Sequence, residues 1–177
     1  MSIEIETKLK VDRLDEIGER LGVAGGEFVG EFAQRDTFFM DAGGKMLNSD
    51  RGLRIRRETC KGDEKIILTY KGPREKTRFK AREEIEVGVE SFENLEQILL
   101  ALGLEETIVV EKNRSLWKLK NCDVCLDQLV ELGSYVEIEG ACEKDICMAM
   151  DELGLLDLPH VERSYARLIK EKKEAVS

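Results

Sequence analysis

The feature that most constrains this chain is a charged strand face that recurs from one segment to the next. The chain begins MSIEIETKLK, in which Glu4, Glu6 and Lys8 alternate with apolar or small residues. Because successive side chains of a β-strand point to opposite faces, these three charges share one face. On a single strand such a face is usually the solvated one. The segment therefore predicts an amphipathic strand and leaves the destination of its charges open.

The same alternation returns along the whole chain, and it carries both signs of charge. Further charged faces consist of Arg54 and Arg56; Arg82, Glu84 and Glu86; Lys112 and Arg114; and Glu137 and Glu139. Lys71 and Asp127 stand on two more segments that favour strands. Solvent could explain any one of these faces. A set that recurs on nearly every strand favours a sheet that curls around its charged face.

Hydrophobic periodicity and turn residues predict the order of the elements. Strands are expected at 2–11, 27–40, 53–58, 65–71, 80–89, 105–119, 122–130 and 134–140, and helices at 13–22, 91–103, 143–153 and 160–173. Turns are expected at 41–45 and 71–75, and a hairpin is expected at Lys61–Asp63. Ser91 is the predicted N-cap of the second helix.

This pattern indicates an α+β fold built around an antiparallel meander of about eight strands. So many long strands would leave exposed edges unless the sheet closed, which predicts an eight-stranded antiparallel barrel, closed or nearly closed, with flanking helices. The 177 residues suit a single domain with a sizeable core.

If helices cover the apolar face, the charged face becomes the interior of the barrel. Seven basic residues would then face seven acidic residues there: Lys8, Arg54, Arg56, Lys71, Arg82, Lys112 and Arg114, and Glu4, Glu6, Glu84, Glu86, Asp127, Glu137 and Glu139. Enclosed charges are costly unless they are paired, hydrated or bound to a ligand. Cations suit the oxygens of a polyphosphate, and carboxylates suit a divalent metal that bridges them.

Composition excludes several other classes of function. The formal charge of −9 argues against general nucleic-acid binding. No apolar run of membrane-spanning length and no signal-peptide pattern occurs, so we expect a cytoplasmic protein without a membrane partner. The single histidine argues against a serine–histidine triad and against a multi-histidine metal site. Cys122 and Cys125 would point to opposite faces of a strand, so this pair is a poor half-site for zinc. Any metal is therefore expected to be a hard ion held by carboxylates.

The ordered motifs resemble those of the CYTH superfamily, the triphosphate tunnel metalloenzymes. The E-x-E-x-K pattern at 4–8 is followed by LRIRR (53–57), LTYKGP (68–73), REEIEV (82–87), EKNRSLWKL (111–119), CLDQLVELGSYVEIE (125–139) and ERSYARLI (162–169). Taken alone, E-x-E-x-K would be a weak signal, but the ordered set is specific. The resemblance implies one CYTH domain over residues 1–177, similar above all to the class IV adenylate cyclase branch.

The resemblance also implies roles for the charged residues. The tunnel would bind a nucleoside or inorganic triphosphate together with Mg²⁺ or Mn²⁺, with two ions expected. The metal-site carboxylates would be Glu4, Glu6, Asp127, Glu137 and Glu139, with Glu6, Asp127 and Glu137 as the expected direct ligands. The catalytic, phosphate-binding cations would be Lys8, Arg54, Arg56, Lys71, Lys112 and Arg114. Arg82 would join them in binding substrate, Glu84 and Glu86 would orient the cations, and Arg163 would either close the tunnel or lie at the surface.

Two reactions fit the same residues. In an adenylate cyclase, the ribose 3′-hydroxyl of ATP attacks the α-phosphorus, which gives 3′,5′-cyclic AMP and pyrophosphate. In a triphosphatase, water attacks the terminal phosphorus of inorganic triphosphate, thiamine triphosphate or a nucleotide. The branch resemblance favours the cyclase. A non-catalytic triphosphate-binding or partner-binding module is a third interpretation, and a homodimer is plausible for the family.

Overall fold

The computed structural model describes residues 2–75 and 79–176, apart from the side chains of residues 2–4, 47 and 176. Its strands are β1 (Ser2–Lys10), β2 (Glu27–Asp41), β3 (Gly52–Cys60), β4 (Asp63–Glu75), β5 (Lys80–Val89), β6 (Leu104–Leu119), β7 (Cys122–Leu129) and β8 (Gly133–Gly140). Its helices are α1 (Leu14–Val23), α2 (Lys45–Asn48), α3 (Phe92–Ala101), α4 (Glu143–Glu152) and α5 (Tyr165–Val176).

The eight strands form a closed antiparallel barrel in the order β1-β5-β4-β3-β2-β6-β7-β8. Consecutive strands pair from β2 to β5 and from β6 to β8. The pairing of β3 with β4 runs up to Cys60 and Asp63, which confirms the hairpin predicted at Lys61–Asp63. Three further pairings, β1 with β5, β1 with β8 and β2 with β6, join the two runs and close the sheet. The predicted closed barrel is therefore confirmed, although it is not a simple meander.

Apolar residues on the outer face of the barrel pack against the helices. Leu9 and Val136 are fully buried beside Ile17 of α1 and Ile146 of α4 in one cluster. A second cluster joins Phe39 and other outward-facing residues to α3. Because α1, α3 and α4 cover this face, the charged face of every strand points inward. The α5 helix differs, because it packs against Val110, Leu129 and Tyr135, which lie on the inward face of their strands.

The helix ends are set by local hydrogen bonds. The Oγ atom of Ser91 accepts the backbone N–H of Asn94 at 3.2 Å, which confirms Ser91 as the N-cap of α3. Asp41 accepts the backbone N–H groups of Lys45 and Met46 at 2.8 and 2.7 Å, and this bonding starts the short α2 that the sequence did not predict. None of the helices in the described parts of the chain is long and apolar enough to cross a membrane.

Two predicted boundaries are wrong. Residues 71–75 were expected to form a turn, but they continue β4, and the pairing with β5 shifts between Lys71 and Arg74. The last helix begins at Tyr165 rather than at residue 160, because the segment before it pairs with β1. The backbone N–H of Val161 donates to the carbonyl of Lys8 at 2.8 Å, and His160 forms a β-bridge with Leu9.

Candidate active site

The inward faces of the strands surround a cavity of about 1170 Å³ that also reaches the first turns of α5. Nine charged side chains in the barrel interior belong to residues that are more than nine-tenths buried: Lys8, Asp36, Arg54, Arg82, Glu84, Lys112, Arg114, Asp127 and Glu137. So dense an enclosed set of both signs is stable only because each charge has partners. Three connected clusters provide most of these partners, and Arg82 has Asp50 beside it.

The most buried cluster is centred on Asp127 of β7, which is 0% exposed. Arg114 of β6 donates two hydrogen bonds to this carboxylate, both at 2.6 Å, and the hydroxyl of Tyr165 donates a third at 2.9 Å. Lys112 lies 3.4 Å from the same group. Arg114 also pairs with Glu137 of β8. Burial opposes the charge of Arg114, but Asp127 and Glu137 still hold its pKa well above the ordinary value.

Tyr165 is the point at which α5 enters the site. The ammonium group of Lys8 lies 3.9 Å from the centre of the Tyr165 ring, and that of Lys112 lies 5.0 Å from it. Both distances suit cation–π attraction. Lys8 also pairs with Glu137 at 3.1 Å and donates to the carbonyl of Arg163 at 3.3 Å. The two lysines are therefore held between the acidic strands and the aromatic ring of the last helix.

A second cluster surrounds Asp36 of β2, a residue that sequence reasoning missed. Arg56 donates to both oxygens of Asp36, at 2.6 and 2.8 Å, and Arg54 approaches to 3.5 Å. Burial raises the pKa of Asp36, but the charges of Arg54 and Arg56 outweigh it and hold the pKa well below the ordinary value. This carboxylate therefore aligns two guanidinium groups along one wall.

The third cluster links β3, β4 and β5. Arg54 donates to the hydroxyl of Thr69 at 2.9 Å and pairs with Glu86 at 3.2 Å. Lys71 pairs with Glu84. Burial, together with the nearby charge of Arg54, lowers the pKa of Lys71 to about 8. Glu84 and Glu86 thus make the contacts that the predicted orienting role requires, and that role remains a prediction.

Three carboxylates converge where β1 meets β8. One oxygen from each of Glu6, Glu137 and Glu139 lies within 4.8 Å of the others. Lys80, which sequence reasoning also missed, pairs with Glu6. Burial opposes the charge of Glu6, but Lys80 lowers its pKa. Carboxylate oxygens converging beside an open cavity are the donors that Mg²⁺ and Mn²⁺ prefer, so these residues fit a hard divalent cation.

The predicted metal-site residues therefore do not all lie together. Glu6, Glu137 and Glu139 converge, whereas Asp127 is already engaged by Arg114, Lys112 and Tyr165. The side chain of Glu4 lies outside the described residues, although its backbone pairs with Arg82. Direct coordination by Asp127 would require it to share or lose its present partners, and its role stays a prediction.

The mouth of the cavity carries the remaining cations. Asp50 binds Arg74 at 2.7 Å and lies 3.7 Å from Arg82. Arg163 lies just before α5 rather than on it, and its guanidinium group pairs with Glu171 at 3.0 Å. Arg163 is thus both at the surface and beside the opening, so either of its predicted roles is still compatible with its position.

Comparison with known proteins bears directly on this arrangement. The family model described as the CYTH domain matches residues 2–165. A Methanocaldococcus jannaschii protein named "Putative adenylate cyclase" is 34% identical over 137 residues, which are 77% of this chain and 76% of the relative. The solved structure of PH1819 from Pyrococcus horikoshii has a TM-score of 0.82 and 30% identity, and the match covers 96% of this chain and 99% of that one.

A more distant structure shares only the fold. It is a Hippeastrum protein named "Putative adenylyl cyclase" and described as having a dominant triphosphatase activity. Its TM-score is 0.68 at 16% identity, and the match covers 98% of this chain and 96% of that one. The family model spans every strand of the barrel, and with them the charged residues on the inward strand faces. Because this match covers most of the sequence, the chain belongs to the CYTH family.

Proposed function

We propose that this protein is a metal-dependent adenylate cyclase that converts ATP to 3′,5′-cyclic AMP and pyrophosphate inside the barrel. The observation that carries the proposal is one enclosed cavity that holds both a cation-lined wall and a cluster of three carboxylates. The name of the Methanocaldococcus relative supports the cyclase in particular.

The cations of the tunnel would bind the triphosphate. Arg54 and Arg56 lie two residues apart on the inward face of β3. Lys112 and Arg114 lie on β6, where Arg114 is opposite Asp127 of β7. Guanidinium groups can grip two phosphate oxygens at once, and ammonium groups add point charges. Since these cations are held by carboxylates before substrate arrives, little reorganisation is needed to neutralise charge on the departing pyrophosphate.

In the reaction, the ribose 3′-hydroxyl oxygen forms a bond to the α-phosphorus while the bond from that phosphorus to the β-phosphate oxygen breaks. The hydroxyl proton is released, and pyrophosphate takes the electron pair. Glu6, Glu137 and Glu139 would hold the divalent metal, which when bound lowers the pKa of a coordinated hydroxyl and offsets phosphate charge. Arg54, Arg56, Lys112 and Arg114 would fix the direction in which the chain of phosphates lies.

Incubation with ATP and Mn²⁺ tests the proposal, with the products separated by chromatography. We expect cyclic AMP and pyrophosphate in equal amounts. Orthophosphate without cyclic AMP would refute the cyclase and support the triphosphatase, for which the Hippeastrum protein provides a precedent on this fold. Tight ATP binding without any product under several divalent metals would instead support the non-catalytic module.

A variant with Glu6→Ala and Glu137→Ala tests the metal site. We expect it to lose metal-dependent activity by more than the roughly 10- to 100-fold cost of changing a group that only supports a ligand. The circular dichroism spectrum should still be that of the folded barrel, because the helices and the outer core are untouched, but the stability should fall because Lys8 and Arg114 lose a buried partner. Glu64→Ala is the matched control, since Glu64 is an exposed carboxylate on β4. Activity that survives the double change would show that the metal assignment is wrong.

A further inference from the structure

One strip of the cavity wall is apolar, although the rest of it is charged. Phe38 and Met40 of β2 and Ile108 and Val110 of β6 line the same cavity as the cations. Phe38 lies opposite Ile108 in the pairing of the two strands. Phosphate oxygens gain nothing from an apolar wall, so an inorganic triphosphate would make no favourable contact with the accessible part of this strip.

A β-bulge on β6 lies beside Ile108 in this strip, whereas ordinary alternation from Asp36 turns Phe38 towards the cavity. The pairing of β2 with β6 shifts between Phe38, which faces Ile108, and Phe39, which faces Glu106, so Thr107 is the extra residue. The hydroxyl of Thr107 donates to the carbonyl of Phe38 at 3.1 Å. Phe39 is fully buried in the outer core, while Phe38 is only half-buried and lines the cavity. Bulges of this kind often re-aim a side chain beside an active site.

The strip continues directly from the cations. Phe38 lies opposite Arg54 in the pairing of β2 with β3, and Asp36, two residues away on the same face, holds Arg56. A ligand whose phosphates contact Arg54 and Arg56 would therefore present its non-phosphate end to Phe38. Tyr165 and Ala166 of α5 line the same cavity and add apolar surface beside the strip.

Packing of α5 explains part of the strip but not all of it. Val110 is 1% exposed and belongs to the cluster that anchors α5, and Phe38 and Ile108 pack against that cluster. Phe38 and Met40 are only half-buried, so part of each side chain remains accessible from the cavity. An accessible aromatic ring inside an otherwise charged tunnel suits a flat, apolar group that is attached to phosphates.

We propose that the wall formed by Phe38, Met40 and Ile108 binds the base of a nucleoside triphosphate by stacking and apolar contact. This inference rests on the proposed function, and it identifies the part of the site that would distinguish a nucleoside triphosphate from inorganic triphosphate. Stacking on an aromatic ring tolerates every base, so the wall selects a nucleotide and not a particular base.

Calorimetric titration of ATP and of tripolyphosphate in EDTA tests the wall, since neither metal-dependent reaction should proceed there. Phe38→Ser should weaken ATP binding by about 5- to 150-fold, the range expected when a stacking partner is removed. Tripolyphosphate binding should change by less than about twofold, because the cations are untouched. For each ligand, the dissociation constant of the variant is compared with that of the parent protein, because ATP and tripolyphosphate differ in charge and cannot be compared directly.

Two further variants sharpen the comparison. Phe38→Tyr keeps the ring and should bind ATP like the parent protein, while Val87→Ser, on the exposed outer face of β5, should bind both ligands unchanged. If Phe38→Ser does not fold, Met40→Gln supplies the same test with a smaller selective loss. Equal losses of affinity for ATP and tripolyphosphate, or no loss for either ligand, would refute the proposal that this wall binds the base.

The outcomes separate this inference from the proposed reaction. If the variant loses ATP binding selectively and the parent protein releases only orthophosphate, the base-binding role of the wall is supported and the cyclase proposal is refuted. If the parent protein makes cyclic AMP but the variant loses ATP and tripolyphosphate binding equally, the cyclase proposal is supported and the base-binding role is refuted.

Discussion

Replacing Asp127 by asparagine should be among the most destabilising single changes in the barrel. Its carboxylate is 0% exposed and accepts hydrogen bonds from Arg114 at 2.6 and 2.6 Å and from Tyr165 at 2.9 Å. The amide would turn a donor towards Arg114 and would leave that cation buried with only part of its compensating charge. Breaking one partner of a buried pair costs about 3–5 kcal/mol.

That cost is large compared with the about 5–15 kcal/mol by which ordinary domains are stable. With an m-value of about 2 kcal/mol per M, the urea midpoint should fall by about 1.5–2.5 M. Trp117 is the only tryptophan and packs partly buried against the outer core, so its fluorescence reports unfolding of the barrel.

Asp123→Asn is the matched control, because Asp123 lies on the same strand but its partner is the exposed Lys118, at 2.8 Å. A surface pair of this kind is worth about 0–1 kcal/mol, so the control should unfold almost like the parent. If Asp127→Asn loses no more stability than Asp123→Asn, the buried cluster does not contribute in the way that its geometry implies.

Two predictions concern pH. The pKa of Asp36 is lowered on folding, so the stability that it contributes is fully present above its ordinary pKa of 3.8 and is lost as the pH falls below that value. Between pH 6 and pH 2.5, the free energy of unfolding in urea should therefore fall less steeply with pH for Asp36→Asn than for the parent protein. An equally steep fall in both proteins would contradict this prediction. Lys71 should lose its charge as the pH rises through about 8, so calorimetry in EDTA should show tripolyphosphate binding weaken there. Lys71→Arg should move that weakening to higher pH, and a profile identical to the parent's would exclude Lys71 as its source.

The alternation of charged and apolar residues was sufficient to predict the strands and the charged interior. Lys8, Arg54 and Glu137 were placed inside the barrel because their strands alternate without interruption. The sequence does not identify Asp36, because the adjacent Arg35 is also charged and alternation does not show which of the two faces inward. The pairing of β2 with both of its neighbours decides it. Periodicity identifies two faces of a strand, but the partners decide which face is enclosed.

Other features depended on contacts between distant residues. Tyr165 reaches Asp127 across 38 positions of sequence, and Lys80 reaches Glu6 across 74, so no local pattern could have predicted either pair. The late start of α5 has the same origin, because residues before it are held by β1. Turn residues suggested that β4 ends near Gly72, but pairing with β5 extends it to Glu75.

The place of β1 in the barrel has a consequence for how the protein is made. β1 precedes the other seven strands in the chain, and both of its neighbours, β5 and β8, come later, with β8 ending only at Gly140. The contacts of Glu6 with Glu137 and of Lys8 with Tyr165 therefore join residues that lie far apart in the sequence. Such distant pairings make folding slow, because a large loop must close before they form. A nascent or truncated chain that lacks β8 therefore cannot close the tunnel, because β1 then has only one of its two neighbours.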